Sequence, residues 1–386
     1  MIDLTRQTEC TGCGACVNIC PKNALRLLPD ESGFLYPQVD PQACVDCSLC
    51  NGVCQIEHPS GENIAEQAFY GLINKNDAHL KAASSGGAFP ALAEEIFARG
   101  GVVVGCAFDE EHKAVHTVTH SQEACIQKLC GSKYVQSEMG DIYAQVKKLL
   151  SQGRLVLFTG TPCQVEGLLL FLKHKPDNLI TVDLICHGVS SPLLWSKHKE
   201  HLEQKAGGKL QGYRFRAKIT PDLSPYHYSY RINKKRIQGP ALLDRYYADF
   251  LKGVNLRESC YRCQFSNLHR VSDLTIGDFW GAEACLPGLD LRQGVSLVIV
   301  NSPLGRELLQ AIADRVTLKE VSKEDAVTGN HNLSSPTARP VSREDYYERC
   351  FSDFEGWEAS YVATKSWKLA KLKSRIPAPI KRLLRR

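Results

Sequence analysis

Two runs of cysteine dominate the chemistry available to this chain of 386 residues. Cys10, Cys13, Cys16 and Cys20, followed by Pro21, are spaced C-x2-C-x2-C-x3-C, and Cys44, Cys47, Cys50 and Cys54 repeat that spacing. Three thiolates so spaced wrap one face of an iron–sulfur cubane, and the fourth reaches across to a second cluster. The expected sets are therefore Cys10, Cys13, Cys16 and Cys54 on one [4Fe–4S] cluster, and Cys44, Cys47, Cys50 and Cys20 on the other. Gly12 and Gly14 let the first loop fold tightly enough for backbone N–H groups to face the cluster sulfurs. Zinc usually takes two Cys-x-x-Cys pairs or Cys/His mixtures, so a doubled run of four favours iron–sulfur. Such clusters carry electrons.

Nine further cysteines lie outside these runs. Cys163 is expected in the first turn of a helix, where the dipole favours thiolate. Cys186 is expected at a strand end, and Cys260 and Cys263 form a Cys-x-x-Cys, half a metal site. The four together suit a third [4Fe–4S] cluster; equally, Cys163 and Cys186 suit a core and the pair a redox dithiol. Cys106, Cys125, Cys285 and Cys350 read as core, and Cys130 beside Gly131 stays open. His187 and Asp278 fall in loops on the ligand side of strands, where they could move protons or serve as structural hydrogen-bonding groups.

The elements that position these residues begin with a small ferredoxin-like module over 1–60, with short strands at Ala24–Leu28 and Gly33–Tyr36. Such a module takes much of its order from its clusters. A second unit spans 68–210. Ser84-Ser85-Gly86-Gly87 opens a helix over Ala88–Arg99, Val102–Phe108 and Ala114–Thr119 read as a strand hairpin, and 137–153 as a helix. Two strand–turn–helix units follow. Arg154–Thr159 leads through Gly160-Thr161-Pro162 to a helix from Cys163, with Thr161, Pro162 and Gln164 as a capping box, and Ile180–Ile185 leads through Cys186-His187-Gly188 to a helix capped at Ser191-Pro192. This order predicts parallel α/β structure. No Gly-x-Gly-x-x-Gly occurs, so the common dinucleotide fingerprint is missing. Residues 211–345 change texture, with aromatic strands at Tyr213–Arg216 and Tyr226–Ile232, a helix over Ala241–Asn255, strands near Asp273 and Gly294, a helix over Gly305–Asp314, and irregular chain over 325–345. The fold class expected is α+β: a two-cluster module, then an α/β core.

Residues 346–386 read as a basic tail, with nine Lys or Arg and no acid from Lys365 onward. The formal net charge of +5 thus belongs to the tail, and the rest is mildly acidic. That argues against a nucleic-acid groove in the body. Trp367, Leu369, Leu372 and Ile376 among the basic residues suit either contact with an anionic membrane surface or a solvated tail. There is neither an apolar run long enough to span a membrane nor a secretory leader at the start, so a cytoplasmic protein is expected, or one at the inner face of the membrane.

Ser84-Ser85-Gly86-Gly87, Gly131-Ser132-Lys133-Tyr134-Val135-Gln136, Gly160-Thr161-Pro162-Cys163-Gln164, Cys186-His187-Gly188, Cys260 to Cys263, Gly277-Asp278-Phe279-Trp280-Gly281 and Gly294-Val295-Ser296-Leu297 stand in an order that resembles the coenzyme F420 hydrogenase/dehydrogenase beta-subunit family. The likeness spans roughly 70–310. It implies an oxidoreductase with an α/β flavin-binding core and a third cluster at Cys163, Cys186, Cys260 and Cys263. It also implies FAD near Ser85, Gly86, Gly87, Lys133, Tyr134, Gly160 and Thr161. A ferredoxin or similar donor would load the clusters, and FAD would pass electron pairs to a substrate. Other outcomes are an electron-transfer subunit feeding a partner oxidoreductase or hydrogenase, and an F420 reductase. Many bacterial members accompany polysaccharide-biosynthesis genes. A fold does not choose among these.

Overall fold

Leu25–Pro29 (β1) and Leu35–Val39 (β2) pair antiparallel between the two cysteine runs, Leu25 opposite Val39. The computed structural model describes residues 6–59, 66–219, 226–374 and 376. Beyond the small N-terminal module the chain builds one sheet of eight strands. In chain order these are Ala68–Asn74 (β3), Val102–Phe108 (β4), Ala114–Thr119 (β5), Val156–Gly160 (β6) and Leu179–Leu184 (β7). A second, three-stranded sheet holds Gln211–Arg214 (β8), His227–Ile232 (β9) and Lys235–Pro240 (β10). Leu274–Asp278 (β11), Ser296–Val300 (β12) and Val316–Val321 (β13) complete the large sheet.

Its order is β13-β3-β12-β11-β7-β6-β4-β5. The central strands β4, β6, β7 and β11 are parallel, as the strand–helix rhythm predicts, while β5, β12, β3 and β13 join antiparallel. The sheet is therefore mixed. It draws strands from both 68–210 and 211–345, so these stretches share one core. Strand alternation feeds both faces. Val103 and Leu157 pack with Ala91, Leu92 and Ile96 of the helix Ala88–Ala98. Val102, Val104, Val156 and Phe158 pack with Val165 and Leu168 of the helix Pro162–Leu172. Burial on both faces explains why β6 is an unbroken apolar run rather than an alternating one.

Several local expectations shift. The helix expected over 137–153 is Ile142–Ser151. The residues before it are held by β5 instead: the Glu138 N–H donates to Ala114 O, and the His116 N–H to Glu138 O. Strand β10 escapes sequence reading because its hairpin turns on Asn233-Lys234, both at positive φ, instead of the usual Asn-Gly pair. The stretch read as irregular over 325–345 holds the end of a helix, Lys323–Thr328, capped by Ser322, and two 3-10 turns. The helix expected over Ala241–Asn255 is a 3-10 turn and then Arg245–Leu251.

Within 346–386, Tyr346–Ser352, Phe354–Val362 and Lys365–Ser374 are helices. Tyr346, Tyr347, Cys350 and Trp357 are buried in an aromatic core with Trp195, Tyr213 and Phe215. The Trp367 indole N–H donates inward to Leu243 O at 3.4 Å, leaving Leu369 and Leu372 on the exposed side. Pro377 and the basic residues after it lie outside the described residues.

Candidate iron–sulfur sites

The first loop folds at Gly12 and Gly14, both at positive φ, and Gly14 opens the short helix Ala15–Ile19 that carries Cys16. The Gly12 N–H donates to Cys10 Sγ at 3.4 Å, and the Ala24 N–H to Cys20 Sγ at 3.3 Å. Burial raises the Cys16 thiol well above its ordinary pKa, and charge at Cys13, Cys10 and Cys54 adds to it. The Cys13 thiol is pushed up to about 11 by burial, and Cys10 and Cys54 also raise it. Cys50 of the second run adds to Cys16 as well, so cysteines of both runs lie near it. Cys20, Cys44, Cys47 and Cys50 line a single pocket with Pro21, Leu25 and Val39. Cys47 is exposed there, whereas Cys16 is buried.

Among the described residues no three His, Cys, Asp or Glu side chains converge as one metal ion requires. Acidic ligands would bind as thiolates, so cluster insertion releases protons and offsets the cost that burial imposes on their charge.

The other four cysteines come from three distant stretches. Cys163 lies in the first turn of Pro162–Leu172, and Thr161 Oγ1 is 3.1 Å from its sulfur. The Thr161–Gln164 capping box fixes that turn. Strands β6 and β7 are parallel neighbours, so Cys186 leaves β7 at the same sheet edge. Cys260 lies in the 3-10 turn Glu258–Arg262, and Cys263 ends it. After burial and its contact with Thr161, the Cys163 thiol is raised by Cys186, Cys263 and Cys260. Burial and then Cys263 push Cys260 up to about 12. All four are brought together, a donor set that suits a cubane.

Arg270 ties the Cys260–Cys263 segment to β7. Its guanidinium pairs with Asp183 at 2.9 Å and donates to Leu184 O at 2.9 Å and Phe265 O at 2.7 Å, with both charged groups buried. Two contacts seat the N-terminal module on this site. Gln55, 2% exposed, donates through Nε2 to both Thr11 Oγ1 and Cys163 O at 3.0 Å. A methyl group on Gly167 would lie 3.0 Å from Cys13 Cβ and 3.1 Å from its sulfur, so the cluster loop lies directly on this helix. Sequence reading missed Gln55, Arg257, Arg270 and Gly167. Each acts through a partner distant in sequence, as Gln55 with Cys163 and Arg270 with Asp183, so local pattern offered no signal for it.

The residues tied to FAD divide between two places. Ser132 meets Ser84, its N–H donating to Ser84 Oγ at 2.8 Å, which joins the loop 84–87 to Lys133 and Tyr134. Gly160 and Thr161 sit instead at the end of β6 beside Cys163. Ser85 Oγ donates to Val295 O at 2.7 Å, Gly86 is wedged against β3 and β12 with no room for a side chain, and Gly87 caps the following helix. The Lys133 ammonium donates to Leu129 O at 2.8 Å, Lys128 O at 3.0 Å and Cys130 O at 3.3 Å, and burial lowers its pKa. Tyr134 stacks on Phe250 at 4.2 Å.

Three cations gather on the loop. Arg214 donates to Ala82 O at 2.7 Å, Arg216 to Ser84 O at 3.4 Å, and Lys218 to Leu80 O and Ser85 O at 2.6 Å. Burial, then Arg216, pushes Lys218 down to about 7. Asp278 is engaged by Arg216, which bonds both its oxygens and lies 5.3 Å over Trp280. His187 bonds Phe250 O at 3.0 Å and Thr337 Oγ1 at 3.3 Å, and burial lowers its pKa. Both residues thus have protein partners of the kind a structural role requires.

The two cysteine runs and the backbone N–H donors at sulfur fit an iron–sulfur electron-transfer protein. Residues 9–57 match the 4Fe-4S dicluster domain, and residues 153–325 match the C terminus of the coenzyme F420 hydrogenase/dehydrogenase beta subunit. Over this region the chain is similar to that hydrogenase/dehydrogenase beta-subunit family. An uncharacterized ferredoxin of Methanocaldococcus jannaschii is 41% identical over 46 residues, 12% of this chain and 58% of the relative. An uncharacterized polyferredoxin-like protein of the same organism is 31% identical over 55 residues, 12% of this chain and 33% of that one. The chain thus spans only part of the length of both. A chain of the F420-reducing [NiFe] hydrogenase complex from Methanosarcina barkeri aligns with TM-score 0.45 and 19% identity, over 68% of this chain and 84% of that one. Among the described residues no helix is long and apolar enough to cross a membrane.

Proposed function

We propose that the protein is an electron relay with three [4Fe–4S] clusters in series. The Cys20, Cys44, Cys47 and Cys50 cluster receives single electrons from a ferredoxin-like donor, since its pocket includes the exposed Cys47. The Cys10, Cys13, Cys16 and Cys54 cluster passes them inward. The Cys163, Cys186, Cys260 and Cys263 cluster delivers them to a partner oxidoreductase. The observation that carries this reading is the seating of Cys13 on Gly167, with Gln55 bridging Thr11 to Cys163 O. Anaerobic purification should yield about twelve irons per chain, and Cys163→Ser should remove about four of them. A wild-type content of about eight would eliminate the third cluster.

A second reading, a flavin-dependent oxidoreductase acting on its own substrate, is favoured by the three cations on the loop 80–85, which suit a phosphate-bearing cofactor. FAD would lie there with Ser85, Gly87 and Tyr134, and His187 or Asp278 would handle protons. Gly86, Lys133 and Thr161 are committed to the protein itself, so no chemical step is assigned to them. One flavin released per chain on denaturation would establish this reading, and none would leave the relay alone. Reduction of F420 by the dithionite-reduced protein would identify the acceptor. A role in polysaccharide biosynthesis requires a glycan substrate, tested by turnover with reduced ferredoxin.

A further inference from the structure

Arg257 is among the largest fully buried side chains of the molecule. Its Nε donates to Cys10 O at 2.7 Å, and its Nη1 to Gln136 Oε1 at 3.0 Å. The guanidinium lies 3.9 Å over the Tyr36 ring, and the Arg257 N–H donates to Val189 O, three residues past Cys186. Its Nη2 is buried without a hydrogen-bond partner, and among the described residues no carboxylate pairs with it. It sits three residues before Cys260, whose N–H donates to Arg257 O at 2.9 Å. Arg270, by comparison, has Asp183.

A guanidinium cannot shed its charge, and burying one without a counter-charge is costly. The hydrogen bonds to Cys10 O and Gln136 satisfy donors but supply no negative charge. Among the described residues no carboxylate offsets that charge, and the cysteines beside it are Cys10, through its carbonyl, and Cys260, through its backbone N–H to Arg257 O. A cubane held by four thiolates is net negative, and each reduction adds one electron with no proton required.

We infer that Arg257 is a built-in counter-ion shared by the clusters at Cys10 and Cys260, holding their reduction potentials up so that electrons move inward from the exposed cluster. Charge close to a cluster and hydrogen bonding to its surroundings are recognised levers on potential. Reduction of either neighbouring cluster places an extra electron beside a fixed cation, and the interaction is strengthened by the low dielectric of the buried site. Arg257 does not line the pocket of the cluster at the exposed Cys47, which leaves that cluster the lowest in potential and the entry point. The inference rests on the three-cluster reading.

The test is spectroscopic redox titration of anaerobically purified protein, with iron counted in the same samples. Arg257→Met should leave the iron content unchanged and weaken reduction of the buried clusters at least tenfold, which is about 59 mV for one electron. Arg257→Lys keeps the charge and should shift them by less than half of that. Gln136→Glu, nearly isosteric, places a carboxylate against Nη1 and should lower the same potentials while Arg257 remains, so it decides the matter if Arg257→Met does not accumulate. Full iron with unshifted potentials in Arg257→Met, or in Gln136→Glu, overturns the inference. So does an Arg257→Lys shift as large as that of Arg257→Met, which would mark a merely structural tie. An iron count of about eight or fewer in the wild type overturns the three-cluster reading itself, a separate outcome.

Discussion

Replacing Arg270 with Met should cost the protein the proposed third cluster before it costs the fold. Arg270 and Asp183 are 1% and 0% exposed, and the guanidinium also donates to Leu184 O, Phe265 O and Thr275 Oγ1. One Asp183 oxygen already lacks a hydrogen-bond partner, so removing Arg270 strands a buried carboxylate. Breaking such a pair from one side costs about 3–5 kcal/mol. On a chain of 386 residues that lowers the melting temperature by on the order of 4–6 °C. The loss falls where β7 meets the segment after Cys263, so Cys186 and Cys263 separate. Anaerobic samples melted by circular dichroism and assayed for iron would show a lower transition and about four irons fewer. Arg270→Met combined with Asp183→Leu removes both charges and should recover most of the melting temperature, because an apolar pair of similar volume is often as stable as the ion pair. A single Arg270→Met protein with wild-type melting and full iron would refute the reasoning.

Three further outcomes follow from particular contacts. Gly167→Ala should loosen the dicluster module: a methyl group 3.0 Å from Cys13 Cβ overpacks the contact by about 1–3 kcal/mol, against at most about 1 kcal/mol gained in helix propensity, and limited proteolysis should cut near residue 60 faster. His198 is buried between Asp244 at 3.0 Å and Glu358 at 3.1 Å; burial opposes its charge, but Asp244 and then Glu358 raise its pKa to about 10. Because the folded value lies above the unfolded one, this stabilisation, at most about 5 kcal/mol, is present below about pH 6.5 and lost as pH rises toward 10. Denaturation at intervals from pH 6 to 10 should show that decline in wild type and a flatter profile in His198→Gln. Liposome flotation should distinguish full-length protein from a form ending at residue 364 if the basic segment binds anionic lipid. Equal flotation removes that role, in line with Trp367 facing Leu243.

The two-cluster module was legible because its cysteine spacing is local, and the 4Fe-4S dicluster match over residues 9–57 agrees with it. The Thr161–Gln164 capping box was legible for the same reason, since its donors and acceptors lie within one turn. The third set was not fixed by spacing: Cys163, Cys186 and the Cys260 pair meet only because β6 and β7 are adjacent and Arg270 folds the later loop back. Their places in the predicted elements suggested the set, and the family resemblance strengthened it. Arg257 was invisible because its importance lies in having no acidic partner, a property that exists only in three dimensions. The parallel centre of the sheet followed from strand–helix order, but its antiparallel flank came from long-range pairings such as Ser296 with Leu72. Charge content misread 346–374 as tail because it outweighed the buried Tyr346, Tyr347 and Trp357.

The central claim, electrons moving through three clusters in series, is tested most directly by freeze-quenched electron paramagnetic resonance after mixing oxidised protein with substoichiometric reduced ferredoxin. The account predicts signals from three [4Fe–4S] clusters, with the Cys20, Cys44, Cys47 and Cys50 cluster reduced first and the cluster at Cys163 last, and with Cys163→Ser trapping the electron in the N-terminal module. Two clusters only, or first reduction at the Cys163 cluster, would contradict it.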